Sequence, residues 1–153
     1  LSNVLFKEQI GPLPVHLVPE SLPPLFHSRA GIVASGTATV EAAMMGTPFV
    51  MVYRVSPLTY RIGKSAVKVP FFAMVNLIAE REVVPELVQD DFTADNVVHH
   101  LEQVLPEGTP REHMLNGLAR VRALLNGPEG AAPAPDRAAE IIWSLLPSRA
   151  ANS

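Results

Sequence analysis

The chain contains no cysteine, so disulfide bonds, thiolate catalysis and cysteine zinc sites are excluded. It also lacks an excess of positive charge, since its formal net charge is −3 at pH 7. Without a basic field to gather phosphates, we expect no nucleic-acid partner. No apolar run approaches the roughly 20 residues that are needed to span a bilayer.

The chain contains short apolar runs that are separated by prolines. Of its 153 residues 48% are hydrophobic and 18% are charged, which is typical of a globular protein with a core. The 15 prolines fit many short connections. Because the chain begins with Leu1 and not with methionine, we expect it to be a piece of a longer protein.

The alternation of apolar runs and turn residues predicts a parallel βαβ sheet in the first part of the chain. The predicted strands are residues 15–18, 31–34, 48–53 and 71–75. Helices are predicted at 37–45 and 56–68, and then at about 82–90, 94–105, 110–126 and 135–146. We therefore expect an α/β fold with a Rossmann-like parallel sheet, followed by a helical C-terminal extension.

The segment Ser35-Gly36-Thr37 lies between a predicted strand and a predicted helix. A helix start offers free backbone N–H groups and a partial positive charge, which together can hold a phosphate. Gly36 has no Cβ to keep a ligand from the backbone, and the hydroxyl of Thr37 can cap the helix or reach a phosphate. This pattern predicts a phosphate site.

Glu41 lies one helical turn beyond Thr37, on the same face of the predicted helix. A carboxylate displaced by about 6 Å along the helix axis does not touch the phosphate but can accept hydrogen bonds from two ribose hydroxyls. Phosphate and sugar together describe a nucleoside diphosphate. The alternative is an ordinary N-terminal turn in which Glu41 only complements the helix dipole. The pattern is neither a Walker loop nor the three-glycine dinucleotide motif.

Four blocks resemble the lipid-A-disaccharide synthases in their order and spacing. They are Ser35–Ala42, Gly46–Pro48, Val52–Tyr60 and Asn76–Leu87. The resemblance runs from about Val15 to Val104. It implies the C-terminal, donor-binding half of a GT-B glycosyltransferase, which transfers 2,3-diacylglucosamine from UDP to 2,3-diacylglucosamine 1-phosphate through a β-1,6 linkage with inversion.

The same resemblance implies a role for each residue of the site. Ser35, Gly36 and Thr37 would hold the UDP diphosphate and Glu41 the ribose, and the site would be completed by Asn76, Arg81 and Glu82. Arg54, at the end of the strand 48–53, is either a donor contact or part of a structural ion pair. No metal and no cofactor are implied. The catalytic carboxylate would lie on an N-terminal half that this chain does not contain, so we expect binding of the donor without turnover.

The resemblance also implies how such a protein is organised. We expect residues 1–90 to form the donor-nucleotide region, incomplete at its N-terminus, 91–147 a helical region, and 148–153 a disordered tail. The family forms a homodimer that exchanges C-terminal segments, and it works in the cytoplasm on the inner face of the bacterial inner membrane. Trp143, with its apolar neighbours, predicts a buried C-terminal helix at a dimer or interdomain contact. The basic helix face formed by Arg61, Lys64 and Lys68 fits an anionic membrane surface or an acceptor phosphate, or it is an ordinary solvated face.

Two departures from the family pattern concern Glu80, where a glycine is usual, and Val75, where a proline is common. If position 80 needs a positive φ, Glu80 is strained there or shifts Asn76. Two alternatives have the same phosphate turn: a catalytically inactive fragment or partner subunit, and another UDP-sugar enzyme such as a UDP-N-acetylglucosamine 2-epimerase. The blocks Val52–Tyr60 and Asn76–Leu87 argue against the epimerase, because they extend beyond the shared turn.

Overall fold

The computed structural model describes residues 10, 12–56, 70–127 and 132–145. Within them, a three-stranded parallel sheet is formed by β1 (Gly31–Ala34), β2 (Phe49–Tyr53) and β3 (Glu86–Val88), in the order β1-β2-β3. The helices are α1 (Leu22–His27), α2 (Thr37–Met45), α3 (Met74–Ala79), α4 (Ala94–Val104), α5 (Thr109–Asn126) and α6 (Ala134–Leu145), and a 3₁₀ turn spans Gln89–Asp91.

β2 is the central strand of the sheet, and it is apolar on both faces. In the register of the sheet, Gly31 pairs with Phe49, and Met51 pairs with Glu86. All four residues from Phe49 to Val52 are buried. A parallel strand that is covered on both sides has a continuous apolar sequence, and β2 was predicted from such a run. The expected α/β fold with a parallel sheet is confirmed.

Two apolar clusters cover the two faces of the sheet. The larger cluster joins Phe49 and Met51 of β2 to residues of α2, α3 and α5, such as Ala42, Val75 and Leu118. The smaller cluster joins Val50 and Val52 to Leu87 of β3 and Val97 of α4. Helices on both faces of a parallel sheet are the arrangement that βαβ connections produce.

α2 and α3 end in the same way. At the end of α2, the N–H of Gly46 donates to the carbonyl of Ala43, and the N–H of Thr47 donates to the carbonyl of Ala42. At the end of α3, the N–H groups of Glu80 (φ 54°) and Arg81 make the two corresponding bonds. This pair of bonds is a Schellman motif, whose capping residue is left-handed and is usually glycine. Gly46, with φ 73°, follows the rule and Glu80 does not.

Three of the predicted elements are wrong. Residues 15–18 form no strand and are exposed, because no strand lies beside them in the described part of the chain. The apolar run 71–75 leads into α3, since a short apolar run does not by itself distinguish a strand from a buried helix. The predicted helix 82–90 is instead β3 and the 3₁₀ turn, and Pro85 within it would break a helix.

The later helices α4, α5 and α6 lie where they were predicted. Thr93 caps α4, because its Oγ1 accepts from the N–H of Asn96 at 3.2 Å. Gly108, and not the following threonine, holds the capping position of α5. The apolar residues of α6 are exposed, Trp143 by 78%, so contacts among the described residues do not bury that helix.

In the described part of the chain, no helix is both long and apolar enough to cross a membrane. Residues 57–69, with the predicted basic face, and the predicted tail 148–153 lie outside the described residues.

Candidate nucleotide site

The predicted site begins at the carboxyl edge of the sheet. β1 ends at Ala34 and is followed by Ser35 and Gly36, and β2 ends at Tyr53 and is followed by Arg54. Parallel strands bring these turns to one edge, where open α/β sheets bind their ligands.

The turn after β1 is held by Ser35. Its N–H donates to the carbonyl of Val52 at 3.0 Å, which continues the β1–β2 ladder by one bond. Its Oγ donates to the carbonyl of Phe72 at 3.0 Å, which joins the turn to the segment before α3. Ser35 therefore fixes the turn against two neighbours, and its hydroxyl proton is already engaged.

Gly36 forms the start of α2 in a conformation that only glycine adopts readily. Its φ is 131° and its ψ is −160°, and no atom lies within 4 Å of the place where a Cβ would be. No side chain caps the helix start, and Thr37 is exposed. The start of α2 therefore has no side chain that competes for its first backbone N–H groups, as a phosphate site requires.

Glu41 lies one turn further along α2 and is half-buried. Its Oε2 accepts a hydrogen bond of 2.8 Å from the hydroxyl of Ser21, which precedes α1. The structure thus keeps the predicted order, with the helix start first and the carboxylate one turn later. Ser21 was not predicted from the sequence.

Asn76 is fully buried, and its amide group is engaged on both sides. Oδ1 accepts from the N–H groups of Val83 (2.8 Å) and Val84 (3.0 Å). Nδ2 donates to the carbonyl of Val84 (2.9 Å) and to Oε1 of Glu86 (2.8 Å). Asn76 therefore holds the turn that leads into β3.

Glu86 is a second residue of this region that was not predicted from the sequence. Besides the bond from Asn76, its carboxylate accepts from the N–H groups of Phe72 (2.8 Å) and Ala73 (2.9 Å), just before α3. A carboxylate that accepts backbone N–H groups at a helix start stabilises that start. Because Phe72 also accepts from Ser35, one chain of hydrogen bonds runs from the turn after β1 to Asn76.

Arg54 extends from the end of β2 to the turn after β3. One of its terminal nitrogens donates to the carbonyls of Gln89 and Phe92, and its guanidinium lies 5.0 Å from the centre of the Phe92 ring. The side chain of Gln89 pairs with the N–H and the carbonyl of Val55, as a further strand residue would. These partners are carbonyls, so the described bonds of Arg54 are structural but include no ion pair, and its role as a donor contact stays a prediction.

A model of the family described as lipid-A-disaccharide synthetase matches residues 4–127. The chain is 52% identical to the lipid-A-disaccharide synthase of Acidobacterium capsulatum over 139 residues, which are 91% of this chain and 34% of that protein. The corresponding protein of Koribacter versatilis is 50% identical over 131 residues, or 86% of this chain and 34% of the relative. The chain belongs to the lipid-A-disaccharide synthetase family. It spans about a third of the length of these curated relatives.

This membership confirms the recognition that was based on the four sequence blocks, and with it the predicted GT-B fold class. The family is one of glycosyltransferases that act in lipid A biosynthesis.

In this member of the lipid-A-disaccharide synthetase family, Arg81 and Glu82 lie apart from the turn after β1. They follow α3, whereas Phe72, which bonds to Ser35, precedes it, and six residues of helix separate the two ends by about 9 Å. Both are exposed and line an open cleft of about 470 Å³, together with residues of α5 such as His113 and Asn116. The described contacts do not join them to Ser35, Gly36 or Glu41, and their donor role stays a prediction.

The two departures from the family pattern have different outcomes. Glu80 adopts a φ of 54°, so position 80 does need a left-handed residue. Asn76 nevertheless makes all four of its hydrogen bonds, so Glu80 does not disrupt the Asn76 network. Val75 is fully buried in the larger cluster, within the first turn of α3.

Proposed function

We propose that this chain is the UDP-binding half of a lipid-A-disaccharide synthase. The observation that carries the proposal is the start of α2, where Gly36 leaves the helix N-terminus open and Glu41 lies one turn beyond it. The diphosphate sits at the N–H groups of Gly36 and Thr37, and the ribose hydroxyls donate to Glu41. The choice of UDP over other nucleotides rests on the resemblance to the lipid-A-disaccharide synthases, whose name both reported relatives carry.

The complete enzyme transfers 2,3-diacylglucosamine from UDP to 2,3-diacylglucosamine 1-phosphate and releases UDP. A base removes the proton from the acceptor hydroxyl, which attacks the anomeric carbon on the face opposite to UDP and inverts it. As the bond to UDP breaks, negative charge grows on the departing diphosphate. The start of α2 carries a partial positive charge in a fixed position, so it stabilises this charge without first having to reorient.

The other predicted residues support this centre. Asn76 and Glu86 hold α3 and, through Phe72, the turn of Ser35. Arg54 fixes the loop at the end of β2, whereas Arg81 and Glu82 line the separate cleft beside α5 and carry no step of this proposal. We infer that the catalytic base lies outside this chain, which spans about a third of its relatives' length, so that the chain binds the donor but does not turn it over.

We further propose a dimeric assembly and a membrane location for the enzyme. The exposed apolar side chains of α6, among them Ile141 and Trp143, fit a homodimer that exchanges C-terminal segments. Because its substrates carry acyl chains, the enzyme works on the cytoplasmic face of the inner membrane.

Calorimetric titration of the chain with UDP, UMP and ADP tests the proposal. We expect UDP to bind more tightly than UMP, which lacks the second phosphate, and than ADP, which carries another base. Glu41→Ala removes the acceptor of the ribose hydroxyls and should weaken UDP binding about tenfold, the loss of a charged hydrogen bond.

Glu102→Ala is the matched control, because Glu102 is an exposed glutamate on α4, away from α2. Its UDP affinity should equal that of the parent chain. An unchanged affinity in Glu41→Ala, with the fold verified by circular dichroism, would contradict the ribose assignment.

A further inference from the structure

Ser21 precedes α1 at the position where a serine usually caps a helix. Such a serine accepts a hydrogen bond from the backbone N–H of the second or third helical residue. In α1 these residues are Pro23 and Pro24, and proline has no N–H. Ser21 makes no side-chain cap bond, so the usual explanation for a serine at this position does not apply.

The hydroxyl of Ser21 is used elsewhere. It donates to Oε2 of Glu41 at 2.8 Å, across 20 residues of sequence, and so connects the segment before α1 to the middle of α2. Glutamate has three rotatable side-chain bonds, and this contact restricts them. It occupies one lone pair of Oε2, and no described residue bonds to Oε1.

α1 is held in place independently of Ser21. Thr47, which follows α2, donates from Oγ1 to the carbonyl of Leu25, and Leu25 packs against the larger cluster. The hydroxyl of Ser28, after α1, donates to the carbonyl of Pro24. Removal of the Ser21 hydroxyl therefore leaves α1 attached and changes only what holds the carboxylate.

We propose that Ser21 is a positioning residue for the sugar of the nucleotide: it holds the Glu41 carboxylate in the orientation that accepts both ribose hydroxyls. The inference rests on the proposed function, in which Glu41 binds ribose. A carboxylate that is already oriented loses less conformational freedom when the ligand binds, so the affinity of the site is higher. The effect is specific to the ribose hydroxyls, and a purely structural bond between α1 and α2 would not have that property.

The test compares UDP with 2′,3′-dideoxy-UDP, which lacks both hydroxyls, in calorimetric titrations of four chains. Ser21→Ala should weaken UDP binding about fivefold, as the loss of one exposed hydrogen bond does. Its affinity for 2′,3′-dideoxy-UDP should equal that of the parent chain. Ser21→Thr keeps a hydroxyl and should restore the parent's ratio of the two affinities. Ser28→Ala removes the other hydroxyl of the α1 region and should leave the ratio unchanged.

Each result distinguishes the inference from the function on which it rests. The positioning role would be overturned if Ser21→Ala had the parent's ratio of UDP affinity to 2′,3′-dideoxy-UDP affinity. That ratio is the same whether neither affinity changes or both are weakened equally. If the parent chain binds UDP and 2′,3′-dideoxy-UDP equally, the ribose role of Glu41 is wrong, and the role of Ser21 fails with it. If the parent chain binds no UDP, the proposed function itself fails for this chain.

Discussion

Replacing Glu80 by glycine should make this protein more stable, although it removes a whole side chain. Glu80 closes the Schellman motif of α3 with φ 54° and ψ 24°, a left-handed conformation that crowds the Cβ of an L-residue. Its side chain is exposed, and no hydrogen bond or ion pair that the structure describes involves it. The substitution therefore removes strain and sacrifices no described contact.

The gain can be worked from two opposing terms. The left-handed conformation costs a residue with a Cβ about 1–2 kcal/mol, which glycine avoids. Glycine, in turn, gives the unfolded chain more freedom, which costs about 0.4–1 kcal/mol of stability. The difference favours Glu80→Gly by about 0.5–1 kcal/mol, or about 2–3 °C in Tm for a chain of this size.

Urea unfolding followed by circular dichroism measures the change as a higher midpoint with an unchanged slope. Two variants serve as controls with the opposite sign. Glu82→Gly lies in the same turn without a positive φ and should lose about 0.4–1 kcal/mol. Gly46→Ala places a Cβ in the left-handed cap of α2, where the nearest atom is 3.9 Å away. The variant should therefore lose stability through backbone strain and not through a steric clash. If Glu80→Gly lowers the midpoint as Glu82→Gly does, the strain argument is refuted.

Two further stability changes can be measured by the same unfolding experiment. Asn76→Ala leaves two N–H groups, those of Val83 and Val84, without their acceptor and should cost about 2–4 kcal/mol, and a loss below 1 kcal/mol would mean that water replaces the amide. Gly117→Ala places a Cβ 2.6 Å from Cγ1 of Val83 and should cost about 1 kcal/mol or more through overpacking. In a Val83→Ala background the sign should reverse, because alanine is the better helix former by about 1 kcal/mol, and no reversal would locate the clash elsewhere.

The parts of the fold that the sequence could predict are those with a signal of their own. β2 has a continuous apolar run, and α4 has Thr93 followed by an amphipathic pattern. β3 has only three residues, with one of them buried, so its strand character comes from pairing with β2 and is too weak to find by local propensity.

The site shows the same division. Gly36 and Glu41 follow from spacing along one helix, which sequence alone gives. The contacts of Asn76 with Glu86, and of Ser35 with Phe72, join different elements, and no periodicity encodes them. The Pro23-Pro24 pair after Ser21 was a signal that the sequence did contain, since it denies that serine a capping role.

The central strand β2 has one more consequence, which concerns how its register is fixed. In a sheet with one solvent-exposed face, a slip by one residue would put apolar side chains into water, and this free-energy penalty fixes the register. Both faces of β2 are buried, so a slip by one residue would not move an apolar side chain into water. What differs between its faces is volume, because Phe49 and Met51 face the three-helix side, whereas Val50 and Val52 face α4. A slip would press the two large side chains against α4 and leave voids under α2, α3 and α5, so steric fit specifies the alignment of this strand where hydropathy cannot.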